Sequence, residues 1–394
     1  MRYHQIQHLD NLVQKLCTLN GLDFCDPDYS DPDYFSPFRV LPTEVLSNIV
    51  RMVDAEGRRN LKEVCLWWNR VAKENMSKLF VHCPGGMRAL IGYPRLQDLQ
   101  ITGCHIGETD YQAGKYMQHL HTLVLKSVTL VPFTIIAQLP YLKNLAIHAP
   151  DVTSMEGLEQ LKMLEELTLD SIMASFSFPQ SCCHPKLRRV YLKECICVKI
   201  QARFFGCCKD LEYLHIDTSL DHPIGSLDFV LQTPKLNHLA IVACCGEETV
   251  AFSLEPLASL QNLQYLNVKG YWDLDYEPIL ELESIRQLSP GVCCDKQLAK
   301  LVQSSKFGRH LESIELFDNE CVTNTTLELL ANSCPDLKRL YIIDCLNVTS
   351  ESIASLRRMS KLCCLQLSPE HWWSEFENLD EFRQLCQNVC LDDI

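Results

Sequence analysis

From about residue 90 onward, apolar residues recur in one short pattern, apolar-x-x-apolar-x-apolar. The copies are Leu96-Leu99-Ile101, Leu120-Leu123-Leu125, Leu142-Leu145-Ile147, Leu164-Leu167-Leu169, Leu187-Val190-Leu192 and Leu211-Leu214-Ile216. They continue as Leu236-Leu239-Ile241, Leu263-Leu266-Val268, Leu311-Ile314-Leu316, Leu337-Leu340-Ile342 and Leu362-Leu365-Leu367. Successive copies start about 22 to 27 residues apart, with one gap of about two periods between Leu263 and Leu311. The last two apolar residues of each copy are two apart, so a strand directs both to one side. One strand cannot bury that side alone, whereas stacked copies build a parallel sheet over a continuous core. The pattern therefore predicts a strand at each copy and a returning helix or loop behind it. Met155, Leu158 and Leu161, and again Leu327, Leu330 and Ala331, have the spacing of such helical returns. In the double-length gap, Ile285 and Leu288 are followed by Pro290 where an apolar residue is due. Proline has no donor for a ladder, so the strand there is expected to be weak or irregular.

The first eighty residues follow other patterns. Ile6, Leu9, Leu12, Val13 and Leu16 predict a short amphipathic helix. Residues 22–38 are rich in Asp, Pro and Tyr and read as a solvated linker, with Ser36-Pro37 a candidate kinase site. Two helical stripes follow: Val45, Leu46, Ile49, Val50 and Val53, then Leu61, Val64, Cys65, Trp68 and Val71, separated by Asp54-Ala55-Glu56-Gly57. Two helices of this length cannot bury two stripes by themselves and need a partner surface. At the other end, Phe376, Leu379, Phe382 and Leu385, with Trp372 and Trp373 before them, predict a helical cap on the last repeat.

Leu41-Pro42-x-Glu44-Val45-Leu46 and Val64-Cys65-x-x-Trp68 resemble the opening and closing signatures of the F-box, with Ile49 and Val53 where its first helix packs. Arg58, where Leu is usual, and Val50, where Phe or Leu is frequent, depart from that pattern. The recurring unit resembles the leucine-rich repeat, in its cysteine-containing class. Cys104, Cys195, Cys244, Cys293 and Cys345 each stand three residues after the last strand position, and Cys183, Cys208 and Cys334 stand just ahead of the next copy. The likeness is clearest in Cys334-Pro335-Asp336-Leu337 and Cys345-Leu346-Asn347-Val348-Thr349. The resemblance implies an α/β architecture. Residues 1–39 are helix and linker, 40–80 a helical F-box module, 90–370 a leucine-rich-repeat solenoid and 371–394 a cap. It also implies a substrate receptor of an SCF-type ubiquitin ligase. Leu41, Pro42, Val45, Leu46, Ile49, Val50, Val53, Leu61, Val64, Cys65 and Trp68 would dock on the Skp adaptor, and through it on cullin and RING subunits. The repeats would hold a protein substrate, in the cytoplasm and/or nucleus. Two other readings stand beside it: a repeat scaffold or inhibitor with no ligase role, and, for residues 41–71, a cap shielding the first repeat.

Composition narrows the chemistry. The 394 residues carry a net charge of −14, which repels phosphate and disfavours nucleic acid or an anionic membrane as partner. The longest apolar stretch, Thr129–Leu142, is interrupted by Pro132 and Pro140 and is too short to span a bilayer. The opening residues lack the apolar centre of a signal peptide, so the 22 cysteines are expected to be reduced thiols serving as small hydrophobes. Secretion with a disulfide framework is the competing reading. On the first reading the sequons at Asn75, Asn324 and Asn347 are chance matches. Cys182, Cys183, His184, Cys195, Cys197, Cys207 and Cys208 cluster in sequence, but without the C-x-x-C spacing that lets two thiolates converge on zinc. No phosphate loop, nucleophile elbow, metalloprotease or dinucleotide signature occurs, so no enzyme activity, metal or cofactor is expected.

Positions between and beside the buried strand pair face away from the core. In the central copies these are Arg189, Tyr191 and Lys193; Tyr213, His215 and Asp217; His238, Ala240 and Val242; and Tyr265, Asn267 and Lys269. Earlier copies carry milder residues there, such as Asn144, Ala146, Glu166 and Thr168. Rigidly mounted aromatics anchor a partner at low entropic cost, and Arg and Lys suit carboxylate or phosphate. The expectation is a basic, aromatic stripe for an acidic or phosphorylated substrate segment, with Phe317, Arg339, Tyr341 and Ile343 as the next surface.

Overall fold

The computed structural model describes residues 73–82, 93–103, 117–128, 133–150, 152, 154–172, 176–178, 183–195, 198–199, 202–218, 226–243, 252–271, 273–291, 295–304 and 306–367. The amphipathic helix, the linker, the F-box-like segment and the cap over 371–394 lie outside the described residues.

The repeated pattern folds as strands. In chain order they are β1 (Lys78–His82), β2 (Asp98–Thr102), β3 (Thr122–Lys126), β4 (Asn144–His148), β5 (Glu166–Asp170), β6 (Phe176–Ser177), β7 (Arg189–Lys193) and β8 (Val198–Lys199). Then come β9 (Tyr213–Thr218), β10 (His238–Ala243), β11 (Tyr265–Asn267), β12 (Gln287–Ser289), β13 (Ser313–Phe317), β14 (Arg339–Ile343) and β15 (Cys364–Leu367). Thirteen of them form one parallel sheet in chain order, while β6 and β8 pair separately. The middle apolar residues of successive copies are register partners: Leu145 with Leu167, Leu167 with Val190, Val190 with Leu214, Leu214 with Leu239. All are buried, because a slip of one residue would turn the whole apolar set to solvent.

The strand of the degenerate unit stops at the residue before Pro290 and is as short as its neighbour β11. Strand β12 has three residues and pairs with β13 only through Gln287 with Ser313 and Leu288 with Ile314. The sheet also begins earlier than residue 90, because β1 pairs along its whole length with β2 and starts within the 40–80 bounds drawn for the helical module. Met76-x-x-Leu79-x-Val81 is a further copy of the same pattern, and Met76 and Val81 pack against the core.

Behind the sheet the returns are short. The central repeats use 3-10 turns, at Leu158–Gln160, Asp228–Gln232, Glu255–Ser259 and Glu277–Ile279. Full helices follow towards the C-terminus, at Asp295–Gln303, Asn324–Ser333 and Ile353–Arg358. The helix at Asn324 starts on a reciprocal cap: the Thr323 side chain accepts from the backbone, and the Thr326 hydroxyl accepts from the Thr323 N–H at 3.1 Å. An aromatic run fills the middle of the core, with ring centroids 4.1 Å apart for Phe178–Phe204 and 5.0 Å for both Phe204–Phe205 and Phe205–Phe229. Among the described residues no helix is long and apolar enough to cross a membrane.

The chain leaves the strands through left-handed residues: Ser127, Ser171, Glu194, Asp318, Asp344 and, as glycines, Gly103 and Gly270. At Gly270 (φ +85) a Cβ would also lie 2.6 Å from the Ala243 carbonyl oxygen. The residues that follow six of these turns, Val128, Ile172, Cys195, Tyr271, Asn319 and Cys345, are buried. There Cys195 and Cys345 are buried, and each thiol donates to carbonyls of its own and the preceding strand: Cys195 to Lys193 (3.2 Å) and Leu169 (3.5 Å), Cys345 to Ile343 and Leu316 (both 3.6 Å). This is the small-hydrophobe role expected of the repeat cysteines.

Candidate functional site

Parallel pairing in register places equivalent side chains of neighbouring strands a few ångströms apart on the concave face. On β9, β10 and β11 those side chains are the rings of Tyr213, His238 and Tyr265, and Tyr191 of β7, level with His215, joins them on the diagonal. Tyr191 meets Tyr213 at 4.6 Å and 35°, Tyr213 stacks on His238 at 3.8 Å and 14°, and His238 stacks on Tyr265 at 3.9 Å and 2°. Four expected site residues thus form one ladder, with the buried Ala240 beside it. Polar bonds brace its flank. His215 Nε2 lies 2.7 Å from Asp217 Oδ1, Asn267 Nδ2 donates to Tyr265 Oη at 3.2 Å, and the Lys269 N–H donates to Asn267 Oδ1 at 2.9 Å.

Burial keeps the ladder uncharged at neutral pH. It pushes the Tyr213 phenol up to about 12, helped by Tyr191, Tyr265 and Asp217. It raises Tyr265 and Tyr191 as well, and it lowers His238 to about 4, with His215 adding repulsion. The face is therefore a rigid row of neutral rings whose flat sides are spent on each other. Their edges, with the phenol oxygens and imidazole nitrogens, are what a partner meets.

The cations do not form a free basic stripe. Arg189 Nε donates to Glu166 Oε2 at 2.7 Å, an ion pair that raises the guanidinium further. Lys193 is the register partner of Asp170 and lies 5.8 Å from the Tyr191 ring. Lys269 Nζ sits 3.7 Å over the Phe317 ring. Arg339 and Lys269 both act on Glu315, whose half-buried carboxyl is nonetheless raised, chiefly by desolvation. Charge on this face is interleaved, because Glu166 and Asp170 occupy the rows of Arg189 and Lys193 one strand away, and Glu315 stands level with Tyr341 beside Arg339's strand. Phe317, Arg339 and Tyr341 belong to a second patch on β13 and β14, separated from the ladder by Gln287 and Ser289 of β12. The eleven F-box positions from Leu41 to Trp68 lie outside the described residues.

Among the described residues no group of His, Cys, Asp and Glu is placed to hold a metal ion. The cysteines correct one expectation: Cys183 and Cys207 are joined as a disulfide rather than held as reduced thiols, with Cα atoms 5.5 Å apart. They occupy equivalent places in consecutive repeats, and it is repeat stacking that brings them together. Elsewhere burial raises Cys195, Cys208 and Cys334 to about 12, well away from a nucleophilic thiolate. Alkylation of the native chain at pH 8 followed by peptide mapping is expected to label the exposed Cys321 and Cys363 and to spare Cys195, Cys208, Cys334 and Cys345 until denaturant is added. Rapid native labelling of Cys195 or Cys345 would show that the strand-end turns are open.

No protein-family model matches this chain, and neither does any curated protein. Among solved structures it is similar to an internalin from Listeria monocytogenes, at 15% identity and a TM-score of 0.52, covering 88% of this chain and 97% of that one. It is also similar to a leucine-rich-repeat protein of Leptospira interrogans, at 16% identity and a TM-score of 0.50, covering 84% of this chain and 98% of that one. With the sheet and its register, these likenesses show a leucine-rich-repeat solenoid fold.

Proposed function

We propose that this chain is a non-catalytic protein-recognition subunit, the substrate receptor of an SCF-type ubiquitin ligase. The observation that carries the recognition half is the Tyr191–Tyr213–His238–Tyr265 ladder, a preformed aromatic row on the concave sheet face. Tyrosines fixed this way bury large area with little rotamer entropy left to lose, which is how hot spots concentrate binding energy. The ligase half rests on the sequence of residues 41–71, whose two apolar stripes need a partner and whose Leu-Pro and Val-Cys-x-x-Trp landmarks resemble those of the F-box. Because the cations on the face are interleaved with acids, the ladder, and not an acidic or phosphorylated motif, is the main determinant in this proposal.

The test is affinity capture from cells with and without proteasome inhibitor. Tyr213→Ala combined with Tyr265→Ala should weaken a client's binding by about 2 kcal/mol or more, the scale of hot-spot truncation. Clients that accumulate under inhibition should be lost, while Skp and cullin are retained. Clients unchanged by the double substitution would move the recognition surface to β13 and β14. A second reading, a repeat scaffold or inhibitor outside any ligase, is favoured by the Cys183–Cys207 disulfide, since structural disulfides persist in oxidising compartments. That reading predicts client capture with no Skp or cullin.

A further inference from the structure

We propose that Cys183 and Cys207 form a reversible thiol–disulfide staple that sets the packing of the two repeats carrying the first two rungs of the aromatic ladder. The inference deepens the reading of the ladder as a binding face and rests on it only for its consequence; the staple itself stands on repeat geometry. Each half-cystine occupies the same place in its unit, in the segment descending to a strand of the ladder. Cys183 precedes His184, whose carbonyl accepts from Leu187 N–H at 3.1 Å, and β7 follows with Tyr191. Cys207 precedes Cys208, whose carbonyl accepts from Leu211 N–H at 3.0 Å, and β9 follows with Tyr213. The link therefore joins two equivalent, short, hydrogen-bonded segments, each ending in one of the facing tyrosines. Their Cα separation of 5.5 Å lies within the ordinary disulfide range, so the stacked scaffold holds the pair ready in either state.

Position also makes this pair selective. Both residues are half-buried, within reach of small thiols and disulfides. The neighbouring Cys195 and Cys208 are buried, their thiols donating to carbonyls of Lys193 and Phe204. The rung that the staple supports is the least parallel in the ladder, 35° between Tyr191 and Tyr213 against 14° and 2° for the next two. It is the one rung made on the diagonal, Tyr191 being level with His215, and it spans the two strands whose preceding segments the staple joins. The exchange balances with a low-molecular-weight disulfide such as oxidised glutathione as oxidant. One cysteine thiolate attacks it, forming a mixed disulfide and expelling one glutathione thiolate. The second cysteine thiolate then attacks the protein sulfur of that mixed disulfide and expels the other. Two protons pass to solvent or to the leaving thiolates, and reduction by glutathione reverses both steps.

The experiment uses the full chain equilibrated across a series of reduced to oxidised glutathione ratios, trapped by alkylation and mapped as peptides. Hydrogen exchange is measured on the same samples. The expected result is a Cys183–Cys207 crosslink that rises with oxidation and dominates over other pairs. Exchange in Arg189–Thr218 should slow several-fold on oxidation, while β13 and β14 are unchanged. In a Cys183→Ala, Cys207→Ala chain, exchange in Arg189–Thr218 should no longer respond to the ratio. Absence of that crosslink under oxidising conditions overturns the staple. A crosslink that leaves exchange in β7 and β9 unaltered overturns its coupling to the ladder. Neither readout uses Skp or a client, so the ligase proposal can fail without touching this one.

Discussion

A chain carrying Leu41→Ala and Pro42→Ala together is expected to lose Skp and cullin from affinity capture while keeping its clients. The expectation follows from the two-stripe pattern of residues 41–71, which leaves more apolar surface than two short helices can bury between them. A large aliphatic side chain moved from water into an interface contributes about 1.5–3 kcal/mol. Leu41 supplies such a group, and Pro42 fixes the backbone at the entry to the first stripe. Losing both should weaken adaptor binding by roughly two orders of magnitude, since each 1.4 kcal/mol is tenfold. The ladder lies on β7 to β11, far along the chain, so client capture and melting temperature should hold. Wild-type recovery of cullin with the double variant would refute the F-box assignment and leave the non-ligase scaffold. A fall in melting temperature with cullin capture intact would instead favour residues 41–71 as a cap on the first repeat.

The fold was legible because one repeated rule fixes it. Two buried residues at a spacing of two, repeated at a near-constant period, admit few solutions other than stacked parallel strands. The opening strand β1 was missed because Met76 and Val81 are weaker versions of the Leu positions and stand next to Trp68 and Val71, which draw the eye to a helical stripe. The Phe178–Phe204–Phe205–Phe229 run was missed for another reason. Those residues lie in the returns, Phe204 and Phe205 in the one-turn helix Ala202–Phe205 and Phe229 in a 3-10 turn, elements too short for periodicity to say which side chains converge.

The site was half legible. Alternation alone identifies Tyr191, Tyr213, His238 and Tyr265 as facing the concave side. Their stacking needs the register, which places Tyr213, His238 and Tyr265 level on three adjacent strands. Register also decides the electrostatics. Arg189 stands level with Glu166 and Lys193 with Asp170, so a count of cations along the chain overstated the basic character of the face. The same logic governs the cysteines. Cys183 and Cys207 are 24 residues apart in sequence, one repeat, and stacking turns that separation into adjacency.

Two histidines should make the solenoid acid-labile between about pH 6.5 and pH 4, a window that opens about two units above the ordinary carboxylate values. His184 is fully buried, its Nδ1 lies 3.1 Å from the Leu161 carbonyl oxygen, and its ring packs 5.9 Å from that of Phe204. Desolvation lowers it to about 4, outweighing the carbonyl bond. His238 is lowered to about 4 by burial between Tyr213 and Tyr265 and then by His215. Both are neutral in the folded chain at a pH where the unfolded chain already binds the proton. Stability is thus unaffected above the unfolded pKa near 6.5, falls as the pH drops through the window, and flattens below about 4. At 1.36 kcal/mol per unit, His184 alone contributes a loss of roughly 3 kcal/mol by pH 4. His238 contributes less, because its ring retains some contact with solvent. Glu315 acts in the opposite sense: its raised carboxyl is a cost at neutral pH that protonation relieves above the ordinary Glu value, which offsets part of the histidine effect. Asp210 and Asp336, lowered by Lys235 and Lys361, add their acid sensitivity below the ordinary Asp value and so outside the window. Urea denaturation at pH 7.0, 5.5 and 4.5 should show the midpoint falling steadily, and His184→Gln, which keeps a side-chain donor but cannot titrate, should flatten much of that slope. A His184→Gln chain that folds at pH 7 and keeps the full wild-type slope would show that the proton is taken up elsewhere.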